Sequence, residues 1–292
     1  MYGWIIYNGH LQSDAFLTFA NWVSDAGTKK GIQIDQIKNN ELLVMLDDET
    51  PLLSSGQQRP KPSFVIFIDK DISLARQLES LGIPVFNTSQ AIATCDNKVE
   101  MYEVLHQANI PIPKTILAPK IFSKQQNIAF ESFYPIEKAL NYPIIVKEGY
   151  GSYGEQVYLI HNREALIEKI QDIADRPFVF QSFIQSSYGK DVRLYVVGDE
   201  VVAGLRRENT NDFRANVAAG GKVMPFIPNE QQKQLAIAAT KAVGADFAGV
   251  DLLFGESDEP IVCEVNTSAH IKNIYDYTGV NIAEHILALI IK

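Results

Sequence analysis

Residues 249–266 read GVDLLFGESDEPIVCEVN, two apolar runs either side of a turn-rich segment at 255–260. Each run has the composition of a buried strand, and the segment between them makes a hairpin. Asp251 lies in the first run; Glu264 and Asn266 lie in the second, at i and i+2. Successive side chains of a strand alternate between faces, so Glu264 and Asn266 share a face and Cys263 and Val265 take the other. Asp251, across the hairpin, can join Glu264 and Asn266. Two carboxylates and an amide oxygen are hard donors of the kind that suit magnesium, which also keeps waters and phosphate oxygens. The competing reading is a solvated sheet edge carrying a salt bridge. The apolar setting weighs against it, because unpaired charge is expensive there.

Working back from this hairpin, a helix from about Glu230 ends at Gly244, and a final helix runs to about Ile291. VRLYVV (192–197) and VVAGL (201–205) flank Gly198, Asp199 and Glu200 and predict a tight hairpin. PIIVK (143–147) and residues 155–160 are strands with the glycine-rich GYGSYG between them. A helix from about Arg163 puts Leu166, Ile167, Ile170 and Ile173 on one face, and residues 178–180 form a strand. Asp96 reads as the N-cap of a helix with Met101, Val104, Leu105 and Ala108 at helical spacing, closed by Asn109 before Pro111. The chain before residue 94 differs. Apolar strand-like runs at 4–7, 31–37, 42–46, 64–68 and 84–86 alternate with helical patterns at 14–26 and 72–81, and 51–63 reads as an exposed loop. That alternation predicts a parallel α/β layer, followed by α+β structure.

Several residues outside the hairpin suggest chemistry. Lys147 ends an apolar strand and is followed by Gly149, Gly151, Ser152, Tyr153 and Gly154. Glycines let backbone N–H groups approach phosphate oxygens and a lysine adds a point charge; the alternative is an ordinary hairpin turn. The Walker spacing is absent. Lys98 sits in the first turn of its helix, where a cation is disfavoured unless an anion is also present. Residues 179–184, VFQSFI, leave a strand, and either offer backbone groups to a purine edge or simply cross into the next unit. Between Ala203 and Met224 four basic residues (Arg206, Arg207, Arg214, Lys222) face two acids (Glu208, Asp212), which suggests an anion site; the alternative is charge scatter. His270 is a candidate substrate contact. No Ser-His-Asp or Cys-His order appears, and five unclustered histidines argue against zinc.

The 292 residues are 46% hydrophobic and 21% charged, which excludes a disordered chain. A chain this long buries about three-quarters of its extended surface on folding. With 26 basic and 35 acidic residues the net charge is −9. That argues against a nucleic-acid or anionic-membrane partner. Two cysteines make no disulfide framework, as in a reducing cytoplasm. No signal peptide and no membrane span is expected. A dinucleotide oxidoreductase is excluded by the single glycine after the first strand.

In order, DNK (96–98), IVKEGYGSYGEQV (145–157), VFQSFI (179–184), GKDVRLYVVGDEVVAGLRR (189–207), NDFRANVAAGG (211–221), AGVDLLF (248–254) and CEVNTSAHIKN (263–273) resemble the ATP-grasp superfamily, and closely the RimK-type α-L-glutamate ligases. The resemblance covers residues 96–292. It implies a Rossmann-like layer over 1–95, an ATP-grasp N-terminal lobe over 96–185 and a C-terminal lobe over 186–292. It implies an ATP-dependent carboxylate–amine ligase working through an acyl-phosphate, adding L-glutamate or a similar amino acid to a small-molecule or peptide carboxylate. Lys98 and Lys147 would hold ATP phosphates, with Gly151, Ser152, Tyr153 and Gly154 folding over them. Gln181, Ser182, Phe183 and Ile184 would hold adenine, and Asp191 would face the ribose or its neighbourhood. Many relatives carry glutamate where this chain has Ser182, which leaves adenine to the backbone contacts. Asp251, Glu264 and Asn266 would bind two magnesium ions, replaceable by manganese, with Glu264 bridging. Arg193, Arg214 and Asn216 would sit near the γ-phosphate and acyl-phosphate. The basic excess, apart from the resemblance, makes Arg206 and Arg207 expected substrate contacts beside His270. A homo-oligomer is expected. The alternatives are a phosphotransferase on the same fold and a non-catalytic nucleotide sensor, the latter opposed by the complete Asp251, Glu264, Asn266 set.

Overall fold

The structure is a computed structural model that describes residues 1–11, 14–47, 52–54, 59–124, 127–216 and 220–292. The chain opens with β1 (Tyr2–Tyr7), α1 (Asp14–Lys29), β2 (Gln33–Lys38), β3 (Leu42–Val44), β4 (Leu52–Ser54), β5 (Phe64–Phe67), α2 (Ile72–Ser80) and β6 (Val85–Phe86). Parallel strands β2-β1-β5-β6 form a four-stranded sheet, as the alternation of strand and helix patterns predicts. Ile5, Ile6, Val65, Ile66 and Phe67 are buried on both faces. That is why β1 and β5 read as continuous apolar runs and not as alternating ones. The expected loop at 51–63 contains β4, which pairs antiparallel with β3; residues 51 and 55–58 lie outside the described residues.

Next come α3 (Ser89–Asp96) and α4 (Lys98–Gln107). Asp96 is the last residue of α3 and not the cap of the following helix. Asn97, extended at φ −101° and ψ 104°, ends α3 and caps α4, its side chain accepting from the Val99 amide. Asp96 takes the Lys70 ammonium instead. Lys98 stays in the first turn of its helix, as expected.

The middle of the chain holds β7 (Thr115–Leu117), α5 (Tyr134–Leu140), β8 (Ile144–Glu148), β9 (Val157–Ile160), α6 (Arg163–Ile173) and β10 (Phe178–Ser182). Its antiparallel sheet runs β7-β10-β8-β9. The last part holds β11 (Lys190–Val197), β12 (Glu200–Glu208), β13 (Lys222–Pro225), α7 (Glu230–Ala242), β14 (Phe247–Phe254), β15 (Pro260–Asn266), α8 (Lys272–Thr278) and α9 (Ile282–Ile290). Its antiparallel sheet runs β13-β12-β11-β14-β15. Helix α4 packs Met101, Tyr102 and Leu105 into the core formed by that sheet and α7. The first and last sheets share a second core, in which Ile5, Phe19 and Phe64 meet Tyr195, Phe247 and Ile286. Among the described residues no helix is long and apolar enough to cross a membrane.

Asn87 ties these two sheets together. Its side chain is 0% exposed. It donates to the carbonyls of Phe247 and Thr267 and accepts from the amides of Asp246 and Phe247. Removing a buried amide strands every backbone partner it satisfied. Asn87→Ala should therefore cost about 3 kcal/mol of stability, read from urea unfolding. A loss below about 1 kcal/mol would show that these bonds are replaced by water.

Candidate active site

Three neighbouring strands carry a ladder of charge. Register sets Asp191 of β11 opposite Arg207 of β12, and Arg193 of β11 opposite Asp251 of β14. Arg207 donates through Nε and Nη2 to both oxygens of Asp191 at 2.6 Å, and its Nη2 lies 2.9 Å from Asp251 Oδ2. Arg193 donates through Nε and Nη2 to the two oxygens of Asp251 at 2.6 and 2.7 Å. Asp191, Arg207 and Asp251 are buried. Burial opposes ionisation of Asp251, but Arg193 and then Arg207 outweigh it and hold the carboxyl at about 2. Burial pushes the Asp191 carboxyl above the usual range, opposed by Arg207.

Two β-bulges determine which residues meet. The β11–β12 register shifts between Val196, opposite Val201, and Tyr195, opposite Ala203. Without that shift Asp191 would face Arg206. The β14–β15 register shifts between Leu252, opposite Val262, and Asp251, opposite Glu264, which leaves Cys263 without a partner. Strict alternation would bury Cys263 beside Val265. Only Val265 joins the core. Sγ of Cys263 instead lies 3.7 Å from Nζ of Lys147, while its carbonyl accepts the Tyr102 hydroxyl at 2.7 Å.

Lys147 is buried at the end of β8 and donates to the Tyr102 hydroxyl at 2.8 Å. Lys98 is also buried; Nζ donates to the Gly151 carbonyl at 3.2 Å and lies 3.9 Å from Glu264 Oε1. In the loop after β8, Tyr153 and Gly154 take left-handed φ values of 58° and 76°. A Cβ on Gly154 would stand 2.9 Å from Asn216 Nδ2, so only glycine fits there without a shift. The loop is drawn toward the last sheet. Arg214 donates from Nη1 to the Gly154 carbonyl at 2.7 Å, and the Tyr153 hydroxyl lies 3.4 Å from His270 Nε2. Burial and then Arg193 lower the His270 pKa, favouring the neutral imidazole.

Beside these groups lies a cavity of about 1000 Å³, with Lys147 and Tyr102 off its lining. Lys98, the loop residues Gly151, Ser152, Tyr153 and Gly154, Arg193, Arg207, Asn216, Asp251, Glu264, Asn266 and His270 all line it. Other candidates do not. Gln181 donates to the Thr115 hydroxyl, and Phe183 packs edge-on to Tyr188 and Phe213; Ser182 and Ile184 are also off the lining. Asp191 lies beneath the cavity and holds Arg207. Arg214 reaches the loop backbone, Asp212 and the Phe213 ring. Arg206 pairs with Glu208 at 2.7 Å, turned from the cavity by the bulge. Sequence reasoning missed Tyr102, which looks like one more apolar-face residue of α4. It also missed the contribution of Asn8, Asp69 and Lys70 to the cavity wall.

Asp251, Glu264 and Asn266 present hard oxygen donors on one wall, and the buried Asn266 amide nitrogen has no hydrogen-bond partner among the described residues. That donor set fits magnesium. Among the described residues no group of three or more His, Cys, Asp or Glu side chains gathers as a metal cluster, and this set has two carboxylates and an amide.

Residues 95–290 match the RimK-like ATP-grasp domain. The chain belongs to the RimK-like ATP-grasp family. This is a family of ATP-dependent ligases that form amide bonds. The chain is 34% identical over 211 residues to N-acetylaspartylglutamate synthase A of Homo sapiens, covering 72% of this chain and 52% of that protein. It thus spans about half the length of that relative. It is 28% identical over 274 residues to the alpha-aminoadipate–LysW ligase LysX of Saccharolobus solfataricus, covering 90% and 93% of the two chains. The solved ATP-grasp ligase PsnB, complexed with minimal precursor, Mg and ADP, superposes with a TM-score of 0.70 at 18% identity, over 99% of this chain and 97% of that one. The shared fold is a parallel sheet followed by antiparallel sheets.

A carboxyl with a depressed pKa stabilises the fold above its unfolded value, near 4, and loses that contribution as pH falls through its folded value. Arg193→Met should lower stability by about 2 kcal/mol at pH 6. The gap should narrow toward pH 2, where Asp251 protonates. Urea unfolding across that range checks it; a gap independent of pH would refute the pairing.

Proposed function

We propose that the protein joins an amino acid, with L-glutamate the first candidate, to a carboxylate-bearing small molecule or peptide. The observation that carries this reading is the gathering of Asp251, Glu264 and Asn266 beside Lys98 and the glycine loop in one cavity. The relatives' names agree with it: one makes N-acetylaspartylglutamate, the other ligates alpha-aminoadipate to LysW.

The roles divide as follows. Lys98 and Lys147 hold phosphates, each pre-positioned by a neighbour: the Gly151 carbonyl for Lys98 and the Tyr102 hydroxyl for Lys147. The loop from Gly151 to Gly154 covers the phosphates, and Arg214 fixes it through the Gly154 carbonyl. Gln181, Ser182, Phe183 and Ile184 offer backbone groups to adenine. Asp191 orients Arg207 rather than touching the ribose. Arg193 and Asn216 face the transferring phosphoryl group. Asp251, Glu264 and Asn266 would hold the two magnesium ions, or manganese in their place. Magnesium, when bound, neutralises charge on the phosphate oxygens.

A substrate carboxylate oxygen attacks the γ-phosphorus and ADP leaves. The amine nitrogen then attacks the acyl carbon, the bond to the phosphate oxygen breaks, and phosphate departs as nitrogen loses its proton. The protein positions and neutralises; none of these steps needs a covalent protein nucleophile. The two free cysteines and the use of ATP support a cytoplasmic setting.

ADP and phosphate release, screened over amino acids paired with carboxylates and with products weighed by mass spectrometry, tests the reading. Phosphate release that needs no amine would favour a phosphotransferase. Glu264→Gln should keep the wild-type melting temperature and lower turnover by about two orders of magnitude or more. Near-normal turnover in that variant would end the metal assignment.

A further inference from the structure

Four carboxylates are buried among the described residues: Asp69, Glu148, Asp191 and Asp251. Three have a guanidinium. Glu148 accepts from Arg176 at 2.6 Å, Asp191 and Asp251 share Arg207, and Asp251 also takes Arg193. Asp69, 7% exposed, has none. It accepts from the Lys70 amide at 2.6 Å and from Nδ2 of Asn8 at 3.2 and 3.3 Å. The Lys70 ammonium, the nearest cation in sequence, is held by Asp96. Removing a carboxylate from water without a cation is costly even when it is hydrogen-bonded. Burial duly pushes the Asp69 carboxyl upward.

Its position supplies a second argument. Asn8 follows β1 and Asp69 follows β5, so both lie past the carboxyl ends of parallel strands. In the order β2-β1-β5-β6 the chain leaves β1 first to one side, for β2, and later to the other, for β5. The gap between β1 and β5 is therefore a topological switch point, where open parallel sheets bind ligands. Asn8 and Asp69 both line the cavity that holds the metal-binding wall. Leu11, Phe16, Ile68 and Ile274 give the same cavity an apolar surface.

We propose that Asp69 recognises the ammonium group of the incoming amino acid, whose carbon chain lies on the neighbouring apolar surface. This rests on the ligase reading and adds what the amine site selects. Three of the four basic residues flagged in the sequence point the same way: Arg206, Arg207 and Arg214 each bind an acid of this chain. Among the described residues, the buried charge of the cavity wall without an ion pair is thus an anion, Asp69.

The test uses the full chain with MgADP. Binding of L-glutamate, glycine and L-lysine is measured by calorimetry, alongside the hydroxy acids 2-hydroxyglutarate and glycolate. At least one amino acid should bind, and its hydroxy counterpart at least tenfold more weakly. Asp69→Asn should weaken the amino acid at least tenfold and leave MgADP affinity unchanged; Asp69→Glu should recover part of the loss. Absence of amino-acid binding, equal binding of hydroxy acids, or an unaltered Asp69→Asn overturns the proposal. If the asparagine variant does not fold, the hydroxy-acid comparison in the wild type decides. Hydroxylamine, largely neutral at pH 7, separately traps acyl-phosphate as hydroxamate. Hydroxamate from no carboxylate in a panel of N-acetyl-L-aspartate, citrate and a glutamate-terminated peptide would sink the ligase reading, while the binding result still judges Asp69.

Discussion

Asp251 accepts two guanidiniums at once, and the arrangement of the last sheet follows from the cost of burying that cluster. An unpaired carboxylate there would neutralise or unfold its surroundings. Two forked pairs, Arg193 on Asp251 and Arg207 on Asp191, offset the desolvation through short parallel bonds. The pairs span β12, β11 and β14, so the register of three strands must hold for any one of them to form. Gly249 adds a local condition: a Cβ there would meet Ala269 Cβ at 2.6 Å, so the turn after β15 can approach the sheet only over a glycine.

Helix 163–173 was legible because Leu166, Ile170 and Ile173 recur at helical spacing and are buried. The hairpin around Gly198 was legible because its residues permit the turn. The α3–α4 junction was not. Asp96 and Asn97 are both good caps, and only the tertiary pull of Lys70 on Asp96 separates them. Strand β4 was illegible for a related reason: three residues pairing with three others carry too little pattern to distinguish from a polar loop.

For the site, residue types were legible and their partners were not. Alternation correctly put Glu264 and Asn266 on the cavity wall with Asp251. It failed at Cys263 and at the choice between Arg206 and Arg207 for the same physical reason. A bulge shifts register by one residue, and with a period of two a shift of one exchanges the faces. Neither bulge is marked by glycine: Val202 and Cys263 are the extra residues. Such shifts follow from packing across the whole sheet and leave no local trace.

The same point limits what a count of charges can say. The excess of basic residues between 203 and 224 suggested a substrate anion, yet Asp191 and Asp251, outside that window in sequence, lie directly across the strands from it or its neighbour Arg193. Folding pairs Arg207 of that excess with acids from outside the window. What folding leaves unbalanced lies elsewhere, at the carboxyl ends of β1 and β5, where no charge pattern stands out. A cation in solution gains little from an exposed surface carboxylate, because water screens it. A carboxylate already desolvated by the protein has no such competitor, and its attraction for a cation entering the cavity is correspondingly larger. Selectivity for the amine can therefore be built in during folding, on the layer whose motif content was lowest.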